Sequence, residues 1–335
     1  MTDTPRPPHN RTNINFRAIP PRKIDLAPQG GIIDIHAHCF NVTNTGKMME
    51  AAAAYGIGIT FSMGPLEEVD ALNAAYPGRL RYIAIPKWQT AAATDEFAAD
   101  WLRRLDGFYE KGARLFKLHM APGTKKRWGM SFDHPIIQQV IKHAYALGYH
   151  FMSHVSDPKA WFAPGGKYAN PADAYGTFEE QFTPLENLLQ KYPDRLHLGA
   201  HMGGCLESLD LLAKRLDAYP QYIIDTSATK WILRAVAEQS TAAVRDFFLA
   251  YQDRILFGSD LVTGDAYDFD HYASRYWSHQ MQWETPCRIP SPIEDPDAAK
   301  NPAGQSDPQI HGLDLPPAVL QKIYRSNAQR LLLAL

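Results

Sequence analysis

Eight short apolar runs recur along this 335-residue chain, and most are followed by a longer stretch with helical patterning. The runs are 32–38, 57–62, 81–86, 113–119, 149–155, 196–201, 222–226 and 255–260. Helical periodicity marks 67–75, 94–111, 135–147, 178–191, 206–218 and 235–251 between them. Several of these close on a stop signal, such as Tyr76-Pro77-Gly78, Leu147-Gly148, Tyr192-Pro193 or Tyr219-Pro220. Proline just past a helix cannot continue it. Strands that alternate with helices pair in parallel through crossovers. Eight such units predict an α/β fold closed as a (β/α)8 TIM barrel. The competing architecture is an open doubly wound sheet, but no Gly-x-Gly-x-x-Gly follows the first run, and Gly203-Gly204 after the sixth is too little to replace it.

The length suits one barrel domain over 31–335, preceded by a polar, Pro- and Arg-rich extended arm over 1–30. Two long excursions interrupt the pattern. One, 156–176, follows the fifth strand and is a candidate lid or oligomer contact. The other, 283–317, is assigned to the loops after the eighth strand. The segment 318–335 reads as a closing helix. The balance of 34 basic and 36 acidic residues gives a net charge of −2 and no footprint for nucleic acid. Three scattered cysteines, Cys39, Cys205 and Cys287, imply no disulfide framework and fit a reducing, cytoplasmic setting. No signal-peptide core or membrane-spanning run is evident.

The chemistry lies in how the runs end. The first carries Asp34, His36 and His38 at every second position. On a strand these share one face, with Ile33, Ile35 and Ala37 on the other. Two neighbouring imidazoles at a strand end form half of a transition-metal site. The fourth run ends in Lys117 and His119, the fifth in His154, the sixth in His201 and the eighth in Asp260. One histidine in an apolar run is ordinarily a structural residue. Five of eight runs ending in His, Lys or Asp need a shared compensation, which a bound cation supplies.

This ordered set resembles the amidohydrolase superfamily. More narrowly, it resembles the amidohydrolase-2 branch, which also contains aminocarboxymuconate-semialdehyde decarboxylase and the dihydroxybenzoate decarboxylases. Asp225-Thr226-Ser227-Ala228, Gly258-Ser259-Asp260 and the closing Asn327-Ala328-Gln329-Arg330-Leu331 are similar to that branch, and the likeness spans 31–334. It implies His36, His38 and His154 as histidine ligands and Asp260 as a carboxylate ligand that also moves protons. The ion is most simply Zn²⁺, with a second if Lys117 is carboxylated; otherwise Lys117 contacts a substrate carboxylate or pairs with a nearby Asp. His201 is an acid/base beside the metal or a further ligand. Asp34 reads as the residue that orients a ligand.

His119, Trp161 and Arg234 are candidate substrate contacts. Each has a plainer alternative: a strand cap for His119, a small loop core for Trp161 with Phe162 and Tyr168, and a helix salt bridge for Arg234. Asp260 has one too, as a helix N-cap. The aromatic group Tyr267, Tyr272, Tyr276, Trp277 and Trp283 reads as packing, and Cys39 as a packed thiol on the opposite face from His38.

Three functions fit. The first is metal-assisted hydrolysis of a small carbonyl compound such as an amide, lactone or cyclic imide. The second is metal-dependent decarboxylation of an aromatic or unsaturated acid. The third is a barrel that binds a metabolite without turning it over. The expected partners are a small-molecule substrate and, by family likeness, a second copy in a homodimer or larger assembly, with no nucleic acid and no membrane.

Overall fold

The computed structural model describes residues 7–170, 175–297 and 308–333. Outside these lie 1–6 of the arm, Pro171 and its neighbours to 174 in the loop after the fifth run, 298–307 of the later excursion, and 334–335.

Nine strands form one parallel sheet in the order β8-β7-β6-β5-β4-β3-β2-β1-β9. They are β1 Ile32–His38, β2 Ile57–Ser62, β3 Leu80–Ala84, β4 Leu115–His119, β5 His150–His154, β6 His197–Gly199, β7 Tyr222–Asp225, β8 Ile255–Leu256 and β9 Leu261–Val262. The last two are halves of the eighth run. β8 pairs with β7, whereas β9 pairs with β1. The intervening chain stays on β1: Ile35 N donates to Phe257 O at 2.9 Å and Asp260 N to His36 O at 2.7 Å. The run therefore passes from one edge of the sheet to the other and closes the barrel.

The run splits because Asp260 takes a left-handed conformation, φ 60°. That kink interrupts the ladder and turns the Asp260 side chain toward the mouth. Gly258 permits the close approach beneath it. A Cβ there would lie 2.9 Å from His36 Cβ, 3.3 Å from Ser227 Cβ and 3.4 Å from Asp225 Cβ.

The alternation on β1 holds. Ile33, Ile35 and Ala37 are fully buried in the hydrophobic core, while Asp34 and His36 are buried polar residues. Helices Val42–Ala54 and Phe269–Glu284, which periodicity does not mark, pack against each other. Asn41 Oδ1 accepts from Asn44 N at 2.9 Å, and Asp268 Oδ1 from His271 N at 2.9 Å, so both have side-chain N-caps. The expected helix 235–251 is two helices, Thr229–Ala237 and Thr241–Ala250, the second restarted by a Ser240 cap. The excursion at 283–317 follows helix Phe269–Glu284 and not a strand end, which corrects its assignment as a strand-8 loop. Its described part includes a hairpin of Arg288–Pro290 with Gln309–His311.

The described part of the arm lies on its own barrel. Phe16 is buried beside Trp277, Tyr55 OH donates to Phe16 O at 2.9 Å, and Lys23 N donates to Glu284 Oε2 at 2.8 Å. Among the described residues, no helix is long and apolar enough to cross a membrane.

Candidate metal centre

The C-terminal ends of the strands converge on one cluster. Donor atoms of His36, His201 and Asp260 all lie within 4.8 Å of one another. Asp260 Oδ1 is 3.2 Å from His36 Nε2 and 3.2 Å from His38 Nε2, so His38 borders the same point.

Hydrogen bonds behind the rings set which nitrogen each offers. Asp225 at the end of β7 accepts from His36 Nδ1 at 2.8 Å, which turns His36 Nε2 to the cluster. The other Asp225 oxygen accepts from His201 N at 2.9 Å, from Ser227 N at 3.0 Å and from the Ser227 hydroxyl. Because that hydroxyl donates to Asp225, its oxygen accepts from His201 Nδ1 at 2.8 Å. His201 is left with Nε2 as its open donor. His201 and Met202 both have positive φ, 58° and 53°, a turn that brings the imidazole back over the barrel end. One carboxylate thus orients two of the three clustered ligands.

Asp34 lies deeper on β1. It accepts from His36 N at 3.2 Å, from Ser259 N at 3.0 Å and Ser259 Oγ at 2.6 Å, and from Tyr276 OH at 3.2 Å. It fixes the backbone of His36 and the loop carrying Asp260, rather than a ligand ring. Burial still pushes its carboxyl up to about 6.

Charge in the cluster is balanced. Burial alone would favour a neutral Asp260, but His36, His38 and His201 outweigh it and hold this carboxyl well below its ordinary range. Burial and Lys117 press the His36 imidazolium down, and Asp225 and Asp260 together lift it above the usual value. Lys117 is buried on β4 beside the cluster, and burial lowers its ammonium to about 8.

His154 is placed differently from expectation. Its ring is 4.5 Å from that of His201, centroid to centroid, but both its nitrogens are engaged. Nε2 donates to Asp157 Oδ1 at 3.0 Å, and Nδ1 accepts from His119 Nε2 at 3.1 Å. The carboxylate Asp157 is further held by Tyr168 OH, and His119 Nδ1 accepts from Thr124 Oγ1 at 2.9 Å. These groups form one chain from the long loop to the cavity wall. The clustered triad contains His201, expected as acid/base or further ligand, while His154 stands beside it with both nitrogens engaged.

Above the cluster opens a cavity of about 390 Å³. Trp88, Trp231 and Phe40 wall it, with Lys117 and Arg127 as its cationic groups and His119 also on the lining. Arg127 has no carboxylate partner among the described residues. Two expected substrate contacts lie elsewhere. Arg234 is buried in an ion pair with Asp295 and does not line this cavity, so its guanidinium is already committed. Trp161 packs edge-on against Trp231 at 5.5 Å, behind the wall. Asp157, Trp88 and Arg127 escaped the sequence reading, and Asp225 and Ser227 were noted there without a role. Asp157 alone had a legible signal, three residues past a strand-end histidine.

A family model described as amidohydrolase matches residues 41–333. The chain belongs to the amidohydrolase family. The matched span begins just past His38, so the first-strand histidines rest on the geometry above. Comparison with curated proteins returns no match.

Among solved structures, this amidohydrolase is similar to 5-carboxyvanillate decarboxylase from Novosphingobium aromaticivorans, complexed with manganese. The two are 12% identical with a TM-score of 0.50, covering 92% of this chain and 97% of that one. A zinc-bound amidohydrolase from Burkholderia multivorans is 12% identical, TM-score 0.47, covering 90% and 98%. A probable 2-pyrone-4,6-dicarboxylic acid hydrolase from Acinetobacter baumannii is 13% identical, TM-score 0.46, covering 75% and 92%. At such identities the likeness is one of fold.

Proposed function

We propose that this amidohydrolase is a metal-dependent hydrolase of a small, flat carbonyl compound that bears a carboxylate. One observation carries the reading: the His36, His201 and Asp260 donors lie within 4.8 Å of one another and open on a cavity of about 390 Å³. A structural metal site is closed by protein ligands, whereas a catalytic one keeps an open side. The donor set suits a divalent cation, because two imidazoles and a carboxylate are nitrogen and oxygen ligands, and the ring nitrogen that each histidine offers is already set. His36, His201 and Asp260 would hold the ion, with His38 bordering it. Bound there, it polarises a substrate oxygen and lowers the pKa of water to about 7.

The remaining work falls to this chain. Asp260 Oδ1 is the oxygen shared with His36 and His38, which leaves Oδ2 to take a proton from the attacking water. As the carbonyl carbon gains that oxygen and loses its amine or alkoxide, the same carboxyl returns the proton to the leaving atom. Trp88, Trp231 and Phe40 exclude water from both sides of a flat substrate. Arg127 binds its carboxylate, as a guanidinium does best in paired hydrogen bonds.

Decarboxylation of an aromatic acid is a second reading, favoured by the pairing of aromatic walls with the Lys117 and Arg127 cations. Turnover in ¹⁸O-water separates the two. Hydrolysis puts one labelled oxygen into the product, whereas decarboxylation releases CO₂ and adds none. Enzyme that turns over an identified substrate at full rate after chelation, or with Asp260→Asn, contradicts both.

A further inference from the structure

A second cavity, of about 310 Å³, adjoins the metal centre on the far side of Trp231. Trp231, Asp260 and Val262 line both cavities. The second lies between helix Thr229–Ala237, which contributes Lys230, and helix Phe269–Glu284, which contributes His271 and Arg275. Lys230, His271 and Arg275 take no part in the chemistry described above.

Its two cations, Arg275 and Lys230, stand apart from its carboxylates. Arg275 Nη1 donates to His271 O at 2.9 Å and to Ser274 Oγ at 3.0 Å, both neutral acceptors on its own helix. Neither Arg275 nor Lys230 is paired with a carboxylate among the described residues. Burial draws the Arg275 guanidinium down to about 10. His271 adds no third charge, since burial and then Arg275 and His9 keep it near 3. Two carboxylates do face the space. Asp260 is engaged by His36 and His38, and Asp297 accepts from Trp231 Nε1 at 3.3 Å. The stacked rings of Tyr267 and His271, 3.8 Å apart at 13°, make a flat wall. A partly desolvated guanidinium with no carboxylate in contact is costly, and an anion that enters beside it removes that cost.

We propose that Arg275 and Lys230 form a carboxylate-binding subsite for a second anionic arm of the substrate, reached past Trp231 and Asp260. The proposal rests on the metal-centred reading, and it narrows the substrate to a compound with two carboxylates. One meets Arg127 in the main cavity and the other meets Arg275.

Calorimetric titration of the metal-reconstituted protein with benzene-1,3-dicarboxylate and with benzoate tests it. The wild type should bind the dicarboxylate about tenfold more tightly, the size of one added charge-assisted contact. Arg275→Gln should abolish that preference and leave benzoate affinity unchanged, while Arg275→Lys keeps part of it. Circular dichroism confirms that each variant is folded. Equal affinities in the wild type, or a preference that survives Arg275→Gln, overturn the subsite. The metal reading fails separately, if chelation leaves benzoate binding unaltered.

Discussion

Asp225→Asn isolates the one carboxylate that orients two cluster ligands. The wild-type carboxylate accepts from His36 Nδ1 through one oxygen at 2.8 Å, and from His201 N at 2.9 Å and Ser227 N at 3.0 Å through the other. The new amide has one oxygen and one NH₂. If its oxygen stays on the His201 and Ser227 side, those donors remain satisfied and the NH₂ meets His36 Nδ1. His36 then accepts at Nδ1 and carries its proton on Nε2, the atom that faces the cluster. The opposite orientation leaves two buried N–H groups facing an NH₂, at about 1–3 kcal/mol each, so the first wins. Loss of such an outer partner typically weakens metal affinity about 10–100-fold, or about 1.4–2.7 kcal/mol. Competition with a fluorescent zinc chelator measures this directly, and thermal unfolding shows whether the barrel survives. Wild-type affinity in a folded variant would refute the assignment of Asp225 as the residue that sets the His36 tautomer.

His197 and His279 are buried, and burial holds both near 3, far below the usual 6.5. Their unfolded forms bind protons first, so their contribution is complete above about pH 6.5 and is lost as pH falls toward 3; at pH 5 each costs about 2 kcal/mol. Urea unfolding at pH 7.5 and pH 5 should show that loss, and a His197→Gln variant should show a smaller one; equal pH sensitivity would count against it. Gly258→Ala sets a methyl 2.9 Å from His36 Cβ, and overpacking of this kind costs about 1–3 kcal/mol. The variant should unfold at lower urea and bind metal more weakly, and an unchanged midpoint would show that β1 yields freely. Chelation should lower the thermal midpoint by a few degrees, because an ion at about a hundred times its dissociation constant stabilises by about 2.7 kcal/mol. A midpoint indifferent to zinc would be the contrary result.

The barrel was legible because its signal is local. Period-two alternation on β1 and helical periodicity at Pro135–Leu147 are properties of neighbouring residues, and both appear where the pattern places them. Helix Phe269–Glu284 was hidden because nearly every face of it is buried, which erases the amphipathic stripe. Strand-end residues His36, His201 and Asp260 were legible as chemistry, since burial of such groups needs compensation. Their division of labour was not. Asp157 claims Nε2 of His154 across a turn, and Asp225 aims His36 from 189 residues away. Arg234 stayed divided between a substrate contact and a salt bridge because its partner, Asp295, is 61 residues distant. Such pairings depend on how loops fold back, which no periodicity records.

The account stands most directly on where a cation binds. Crystals of the zinc-reconstituted protein, measured at the zinc absorption edge, give that position without reference to activity. The expected result is an anomalous peak about 2.0–2.2 Å from His36 Nε2, His201 Nε2 and an Asp260 oxygen. The same map shows whether His38 closes the shell and whether Lys117 carries a carboxylate. A peak held by His154 in place of His201 would contradict the ligand set, and no peak at saturating zinc would contradict the metal centre itself.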